Sequence, residues 1–363
     1  MTQGASSEAP SAPRVRALVT GGTGFLGGSL TRRLLSDGAR VRVLARSRVK
    51  AKPLTDLGAE IVIGDITDPA PVRAAVDGVQ VVYHLAGPLL VPGIPASQYR
   101  RTHVMGTKLL LECCENAPSL ERLVHCSTTG VLGVTGDRPA DEDAPFRPTN
   151  IYELAKADAE TAVRAKWRQG FPAVVARPGL VYGPGDIHLL SFFHAIFRHR
   201  FRPIGRQETR LHPIYIDDMT EALVRCGERS TAIGECFHLA GKEPVTIREL
   251  ASVIAWAEGT RLPRGRIPFF AARAVAGFGD RLPPGLKQYV PLTRSRLEFL
   301  THSRVYDVSK ASRLLEFTAA TDLSMGIAQT VTWYRLCGYL PPEAASRTTT
   351  EKGVPRCEFG TTP

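Results

Sequence analysis

The chain has 363 residues, 43% of them hydrophobic and 22% charged, with a formal net charge of +11. These values describe a globular protein with a sizeable core, built as one large domain or two coupled ones, and exclude a chain disordered throughout. The basic excess admits nucleic acid, an anionic membrane surface or an anionic cofactor as partner. Arg is spread along the chain, zinc-finger spacing is absent and aromatics are only 7%, which speaks against nucleic acid.

Residues 1–13 are rich in Ser, Ala and Pro and read as a disordered lead-in, not a signal peptide. The first strand is expected over 14–20, then a helix over Leu26–Leu35, a strand over Val41–Leu44, a polar segment, and a strand over Glu60–Ile63. A helix over Pro71–Val76, a strand over Val79–Leu85, a long helix over Tyr99–Asn116 and a strand over Arg122–Ser127 continue the alternation. A helix over Ile151–Gln169 and a strand over Ala173–Ala176 follow. Strands alternating with helices at this spacing predict an α/β fold with a doubly wound parallel sheet. The alternation loosens after Pro184. Residues 14–183 therefore read as the nucleotide-binding domain with the catalytic groups. Residues 184–340 read as a smaller, mainly substrate-binding region with segments returning to the sheet, and 341–363 as a loose tail. Seven cysteines without a CxxC pair read as buried thiols in a reducing cytoplasm. No stretch reaches the roughly 20 apolar residues that span a bilayer.

Between the first strand and first helix stands T-G-G-T-G-F-L-G, residues 20–27. Gly21 permits a tight turn, Gly24 a close approach to a pyrophosphate, and Gly27 close packing of helix on strand. The helix N-terminus then faces the anion with free N–H groups. The second strand ends at Leu44-Ala45-Arg46 with no acidic residue to meet ribose hydroxyls. A guanidinium pairs well with a 2′-phosphate, so Arg46 favours NADP over NAD, with Arg42 and Arg48 as rivals for that role. Asp65, after the third strand, is placed for an adenine amino group or for a simple turn.

Tyr152 and Lys156 lie four apart in a helical stretch, hence on one face. A neighbouring ammonium and a cationic oxidised nicotinamide favour the phenolate, which suits Tyr152 to exchange a proton with a substrate hydroxyl or carbonyl. Ser127-Thr128-Thr129 ends the preceding strand, where a hydroxyl opens toward the cofactor crevice. Ile267–Phe278 is apolar with basic residues around it. It has three readings: a packed helix, a lid over the site, or a membrane-surface element within 262–299.

Together these residues resemble the extended short-chain dehydrogenase/reductase superfamily of Rossmann-fold proteins, which includes the NAD-dependent epimerase/dehydratases. The resemblance spans about residues 14–340. It also rests on G-D-I-T-D at 64–68, H-L-A-G at 84–87, G-T-K-L-L-L-E-C-C at 106–114, R-P-G-L-V-Y-G-P-G-D at 177–186 and Y-I-D-D at 215–218. P-L-T-R-S-R-L-E-F-L at 291–300, Y-D-V-S-K-A at 306–311 and T-V-T-W-Y at 330–334 are most similar to the 3β-hydroxysteroid dehydrogenase branch. The resemblance implies a catalytic set of Thr128 (with Ser127 beside it), Tyr152 and Lys156. It implies dinucleotide contacts at Gly21, Gly24, Phe25, Leu26, Asp65 and its neighbour Ile66, Leu85, Ala86 and Gly87, with Lys156 also holding the nicotinamide ribose, and no metal.

Three positions depart from the family's pattern. His103 stands where an Asn relay is usual, Leu180 where nucleotide-sugar enzymes carry Asn, and Leu211-His212-Pro213 where they carry Arg-Asp-Phe, with Arg210 displaced by one. A sugar nucleotide would lose an amide and an aimed cation, each worth about 1.5–3 kcal/mol. The expected activity is therefore interconversion of a secondary alcohol and a ketone on an apolar, sterol-like substrate. The alternatives are a nucleotide-sugar epimerase or dehydratase that recycles bound NAD, and a redox sensor without turnover. Expected partners are an apolar small molecule, a membrane surface touched peripherally through 262–299, and a second copy of the chain.

Overall fold

The computed structural model describes residues 15–91, 93–281, 292 and 294–342. The expected lead-in at 1–13, nearly all of the expected tail, and 282–291 of the basic segment lie outside the described residues. A seven-stranded sheet organises the molecule. Its strands are β1 (Arg16–Thr20), β2 (Arg40–Ala45), β3 (Glu60–Ile63), β4 (Val81–His84), β5 (Arg122–Cys126), β6 (Ala173–Pro178) and β7 (Cys236–Leu239). Their order is β7-β6-β5-β4-β1-β2-β3, and every neighbouring pair is parallel. The order reverses between β1 and β4, and a crevice opens at their carboxyl ends.

Besides a single turn at Ala96–Tyr99, the helices are α1 (Phe25–Ser36), α2 (Arg48–Asp56), α3 (Pro69–Val76), α4 (Gly106–Glu115), α5 (Ile151–Trp167) and α6 (Leu190–Phe197). Then come α7 (Ile216–Glu228), α8 (Ile247–Ala257), α9 (Phe269–Arg281), α10 (Arg294–Thr301), α11 (Ser309–Leu315) and α12 (Leu323–Leu336). One sheet face is covered by Leu30 and Leu34 of α1 and by Met219 and Leu223 of α7. The other is covered by Val72 of α3, Leu110 and Leu111 of α4, and Val163 of α5. Burial from both sides explains why β4, β5 and β6 are buried at every position. Helix α1 stops at Gly38 (φ +84), where the Gly38 and Ala39 N–H groups bond the Leu35 and Leu34 carbonyls in a Schellman closure.

A third cluster lies beyond the sheet. Phe193 and Ile196 of α6, Ile247, Leu250 and Ile254 of α8, and Ile327, Val331 and Tyr334 of α12 form it. Phe25 and Leu26 at the start of α1 pack against it, so this smaller region rests directly on the phosphate turn. Within 184–340, α7 and β7 belong to the main sheet.

Two elements differ from the sequence reading. The polar segment after β2 folds as α2, because the Ser47 hydroxyl caps the Lys50 N–H and Ala51 and Leu54 reach the core. The long helix expected over 99–116 is interrupted by a π-helical stretch, Arg100–Met105, which leads into α4. Five cysteines, Cys113, Cys114, Cys126, Cys226 and Cys236, are free and buried. No helix among the described residues is long and apolar enough to cross a membrane.

Candidate active site

The glycine turn is as tight as its sequence requires. Gly21 has φ +75, and a Cβ there would lie 2.8 Å from the Leu85 carbonyl carbon. A Cβ on Gly27 would lie 2.2 Å from the Gly21 carbonyl oxygen. Gly24 caps α1 without a side-chain bond, and the first turn carries no acidic residue. The first N–H groups of α1 thus face the crevice with no side chain to satisfy or repel an anion there. The Phe25 and Leu26 side chains turn into the packing against the smaller region, leaving their backbone for a ligand. On the other wall, Leu85 N–H bonds Thr20 O at 3.1 Å and Ala86 N–H bonds the Thr20 hydroxyl at 3.2 Å. A cradle this close to the backbone fits a dinucleotide pyrophosphate.

At the adenosine end, Arg46 follows β2 and is exposed. Its rival Arg42 is committed elsewhere: it donates to the carbonyls of Ala74, Ala75 and Asp77 and pairs with Glu60 at 2.9 Å. Asp65 accepts on Oδ1 from both the N–H and the hydroxyl of Thr67, an Asx turn. Partial burial opposes its ionisation, yet the Thr67 bonds and the Arg46 and Arg101 charges hold its pKa below the ordinary value. Arg46 and Asp65 therefore share one neighbourhood. Ile66 is buried, packed where a Cβ on Gly106 would collide with it.

Asn150 caps α5 through the N–H groups of Tyr152 and Glu153, which sets Tyr152 in the helix's first turn. One turn on, the buried Lys156 donates from Nζ to the Cys126 carbonyl at 2.7 Å, at the end of β5. Strand alternation separates the two hydroxyls that follow. Ser127 points away from the crevice and donates to Glu160 Oε2 at 2.6 Å. The Thr128 hydroxyl accepts from Gly130 N–H at 3.1 Å and lies near enough to the Tyr152 phenol to oppose the rise of its pKa. Burial pushes the phenol pKa up and pulls the Lys156 ammonium down. In the polypeptide alone desolvation is the largest influence on this phenol, and it opposes the phenolate.

The π-helical stretch turns His103 into the wall behind Tyr152. Its ring lies edge-on to the Tyr152 ring (5.6 Å between centroids, 70°), and Nε2 donates to Pro88 O at 3.0 Å. A Cβ on Gly87 (φ +145) would lie 2.0 Å from His103 Cε1, so the glycine is what admits the ring. Burial, with the Lys156 charge, pushes the His103 pKa down to about 3. His84 is likewise pushed down to about 3 by burial, and it bridges the hydroxyls of Thr20 (2.7 Å) and Thr107 (2.9 Å). The Thr107 hydroxyl donates in turn to the His103 carbonyl. This chain ties the phosphate turn to the wall of the site.

On the substrate side, Tyr152 packs in an apolar cluster with Ile94, Tyr99, Val104 and Ala155. Tyr99 holds the loop after β4: its hydroxyl donates to Leu89 O and accepts from Val91 N–H. Leu89, Leu90 and Val91 are 44%, 37% and 40% exposed, although apolar. Leu211 is buried, His212 donates to Gly241 O at 2.8 Å and stacks on Tyr306, and Arg210 lies close enough for its charge to lower the Glu249 pKa. Sequence reasoning missed Tyr99 and the Leu89–Val91 loop. Their signal was the apolar run P-L-L-V-P directly after H-L-A-G.

A doubly wound sheet with a glycine cradle at its switch point, and a Tyr–Lys helix beside it, defines an enzyme of the extended short-chain dehydrogenase/reductase type. The chain belongs to the NAD-dependent epimerase/dehydratase family, whose profile matches residues 17–240. A 4-hydroxy-2-methyl-3-oxo-4-farnesyl-3,4-dihydroquinoline-1-oxide ketoreductase from Stigmatella aurantiaca is 30% identical over 321 residues, covering 86% of this chain and 95% of its own. A 3β-hydroxysteroid dehydrogenase/Δ5→4-isomerase from Mycobacterium tuberculosis is 28% identical over 338 residues, covering 88% and 90%. In fold, the chain is similar to a UDP-glucuronic acid 4-epimerase from Bacillus cereus solved with UDP-glucuronic acid and NAD (TM-score 0.71, 22% identity, covering 88% and 99%).

Proposed function

We propose that the protein interconverts a secondary alcohol and a ketone on an apolar, sterol-like or comparably hydrophobic substrate, with NADP as the preferred cofactor. The observation that carries this reading is the setting of Tyr152: a phenol near Thr128, packed with Ile94, Tyr99 and Val104, where Tyr99 holds the exposed Leu89–Val91 loop. An apolar pocket with few convergent polar groups suits such a substrate. The ketoreductase and hydroxysteroid dehydrogenase relatives support the same class.

A nicotinamide nucleotide bound in the cradle supplies the hydride. The chain's own residues manage the proton and the orientation. Tyr152, kept neutral by burial, gives its proton to the carbonyl oxygen in the reductive direction and takes it back in the oxidative one. Thr128 donates a hydrogen bond to the same oxygen as charge develops on it. Lys156, anchored on Cys126 O, holds the nicotinamide ribose and steadies the phenolate form of Tyr152. Arg46 takes the 2′-phosphate of NADP beside Asp65.

The test is NADPH and NADH oxidation, and the reverse reaction, across sterol ketones, aromatic ketones and UDP-sugars. Turnover of apolar ketones with NADPH is expected. Tight binding of UDP-sugars with tightly held NAD, and no apolar turnover, would replace this reading with the epimerase.

A further inference from the structure

Two arginine-rich stretches that lie far apart in sequence meet in the fold. Ile204 bridges Ile267, Gly205 N–H bonds Ile267 O, and Ile267 N–H bonds Pro203 O, both at 2.9 Å. The first stretch brings Arg198, Arg200, Arg202 and Arg206, all exposed. The second brings Arg261, Arg264, Arg266 and Arg273, also exposed. Residues 187–207 and 259–279 contain no Asp or Glu at all. Of these arginines, only Arg266 pairs with a carboxylate among the described residues, Glu208 at 3.5 Å.

Helix α9 adjoins this patch and is oriented against the usual pattern. It buries its small residues, Ala272 and Ala276, against Ile204 and Leu297. It exposes its large ones: Phe270 is 77% exposed, Phe278 66% and Val275 48%. Phe270, Ala274 and Phe278 stand at i, i+4 and i+8, one apolar stripe along the outer face. Among the described residues nothing covers this phenylalanine stripe, and an exposed apolar stripe of this kind marks an interaction surface.

We propose that this face seats the protein on an anionic lipid bilayer, with the Phe270–Phe278 stripe in the acyl boundary and the eight arginines at the headgroups. Charge decides among the occupants. A second copy docking face to face would set like charges against each other. A nucleic acid would satisfy the arginines and leave the phenylalanines in water. An anionic membrane surface takes both at once. The inference is independent of the substrate reading, since none of these residues belongs to the Tyr152 site.

The test is co-sedimentation of the full chain with vesicles of phosphatidylcholine plus phosphatidylserine, against vesicles of phosphatidylcholine alone. Partition onto the anionic vesicles is expected, falling at least tenfold on the neutral ones and in high salt. R202Q/R264Q should lower it by roughly 25-fold, about fivefold per arginine. F270D/F278D should abolish it while keeping the wild-type Tm and NAD(P)H affinity. No partition, partition indifferent to phosphatidylserine, or partition unchanged in F270D/F278D would overturn the proposal. So would a dimer in sedimentation equilibrium that F270D/F278D dissolves, or duplex DNA that displaces the vesicles from the protein.

Discussion

The cofactor half and the substrate half of this crevice are built from different materials. Around the phosphate turn, the work is done by backbone and by missing side chains: Gly21, Gly27 and Gly87 are places where a Cβ would collide. On the substrate side it is done by side chains from separate segments, Leu89–Val91, Tyr99 and Tyr152, held together only by the fold. A backbone site admits little variation and recurs across chemistries. A side-chain site can be re-lined without moving the sheet, which accounts for one architecture shared by relatives named as ketoreductase, steroid dehydrogenase and epimerase.

The largest effect that separates the halves is expected from Tyr152→Phe. Turnover should fall by ~10²–10⁴-fold, the usual range for an acid–base group, while fluorescence titration finds NADPH binding unchanged. Near-normal turnover would remove Tyr152 from the proposed role.

Next in size is opposite pH behaviour. Around the crevice, His84 and His103 have folded pKa values of about 3, below the unfolded value near 6.5. Below pH 6.5 the unfolded chain binds more protons, so each histidine should cost about 1.4 kcal/mol of stability per pH unit as pH falls toward 3. In the smaller region, burial pushes Glu258 up to about 8, with Arg335 opposing. Its contribution is fully present below the unfolded carboxylate range and is lost as pH rises toward 8. Glu258→Gln should then gain on the order of 3 kcal/mol above pH 8 and nothing at pH 4. Urea unfolding at pH 4, 5, 7 and 8.5 measures both arms.

Arg46→Ala sharpens the comparison on the cofactor side. It should weaken NADPH by about 10–100-fold, as expected for a lost bond to a charged group, and leave NADH nearly untouched. Equal losses would show that Arg46 does not read the 2′-phosphate. The smallest effect is expected at Leu90→Ser, which removes apolar contact but no chemistry. KM for an apolar ketone should rise about two- to tenfold with kcat held, and an unchanged KM would place the substrate elsewhere.

The same contrast governs what the sequence disclosed. Gly21, Gly24 and Gly27 between a strand and a helix, and Tyr152 one turn before Lys156, are local patterns that could be read directly. The choice between Ser127 and Thr128 could not, because both are strand-end hydroxyls and only the alternation of β5 against α5 separates them. Arg42, Arg46 and Arg48 pose the same problem in and just past β2, and only the fold shows that Arg42 is held by the Ala74, Ala75 and Asp77 carbonyls. Helix α2 was hidden by its polar outer face, and the π-helical stretch by a hydrophobic spacing that reads as ordinary helix. Tyr99 acquires its role only through its contact with a loop about ten residues upstream.

Glu160 lies fully buried one turn beyond Lys156, held by Arg177 of β6 at 2.8 Å and by Arg164 of its own helix at 2.8 Å. A carboxylate that has lost water is strongly destabilised if its cation leaves. Parting α5 from β6 would strip Glu160 of the Arg177 guanidinium and leave it Arg164 of its own helix and the Ser127 hydroxyl. The Tyr–Lys helix and the sheet's far strands form one cooperative unit, whose amide protons should exchange through a single shared opening.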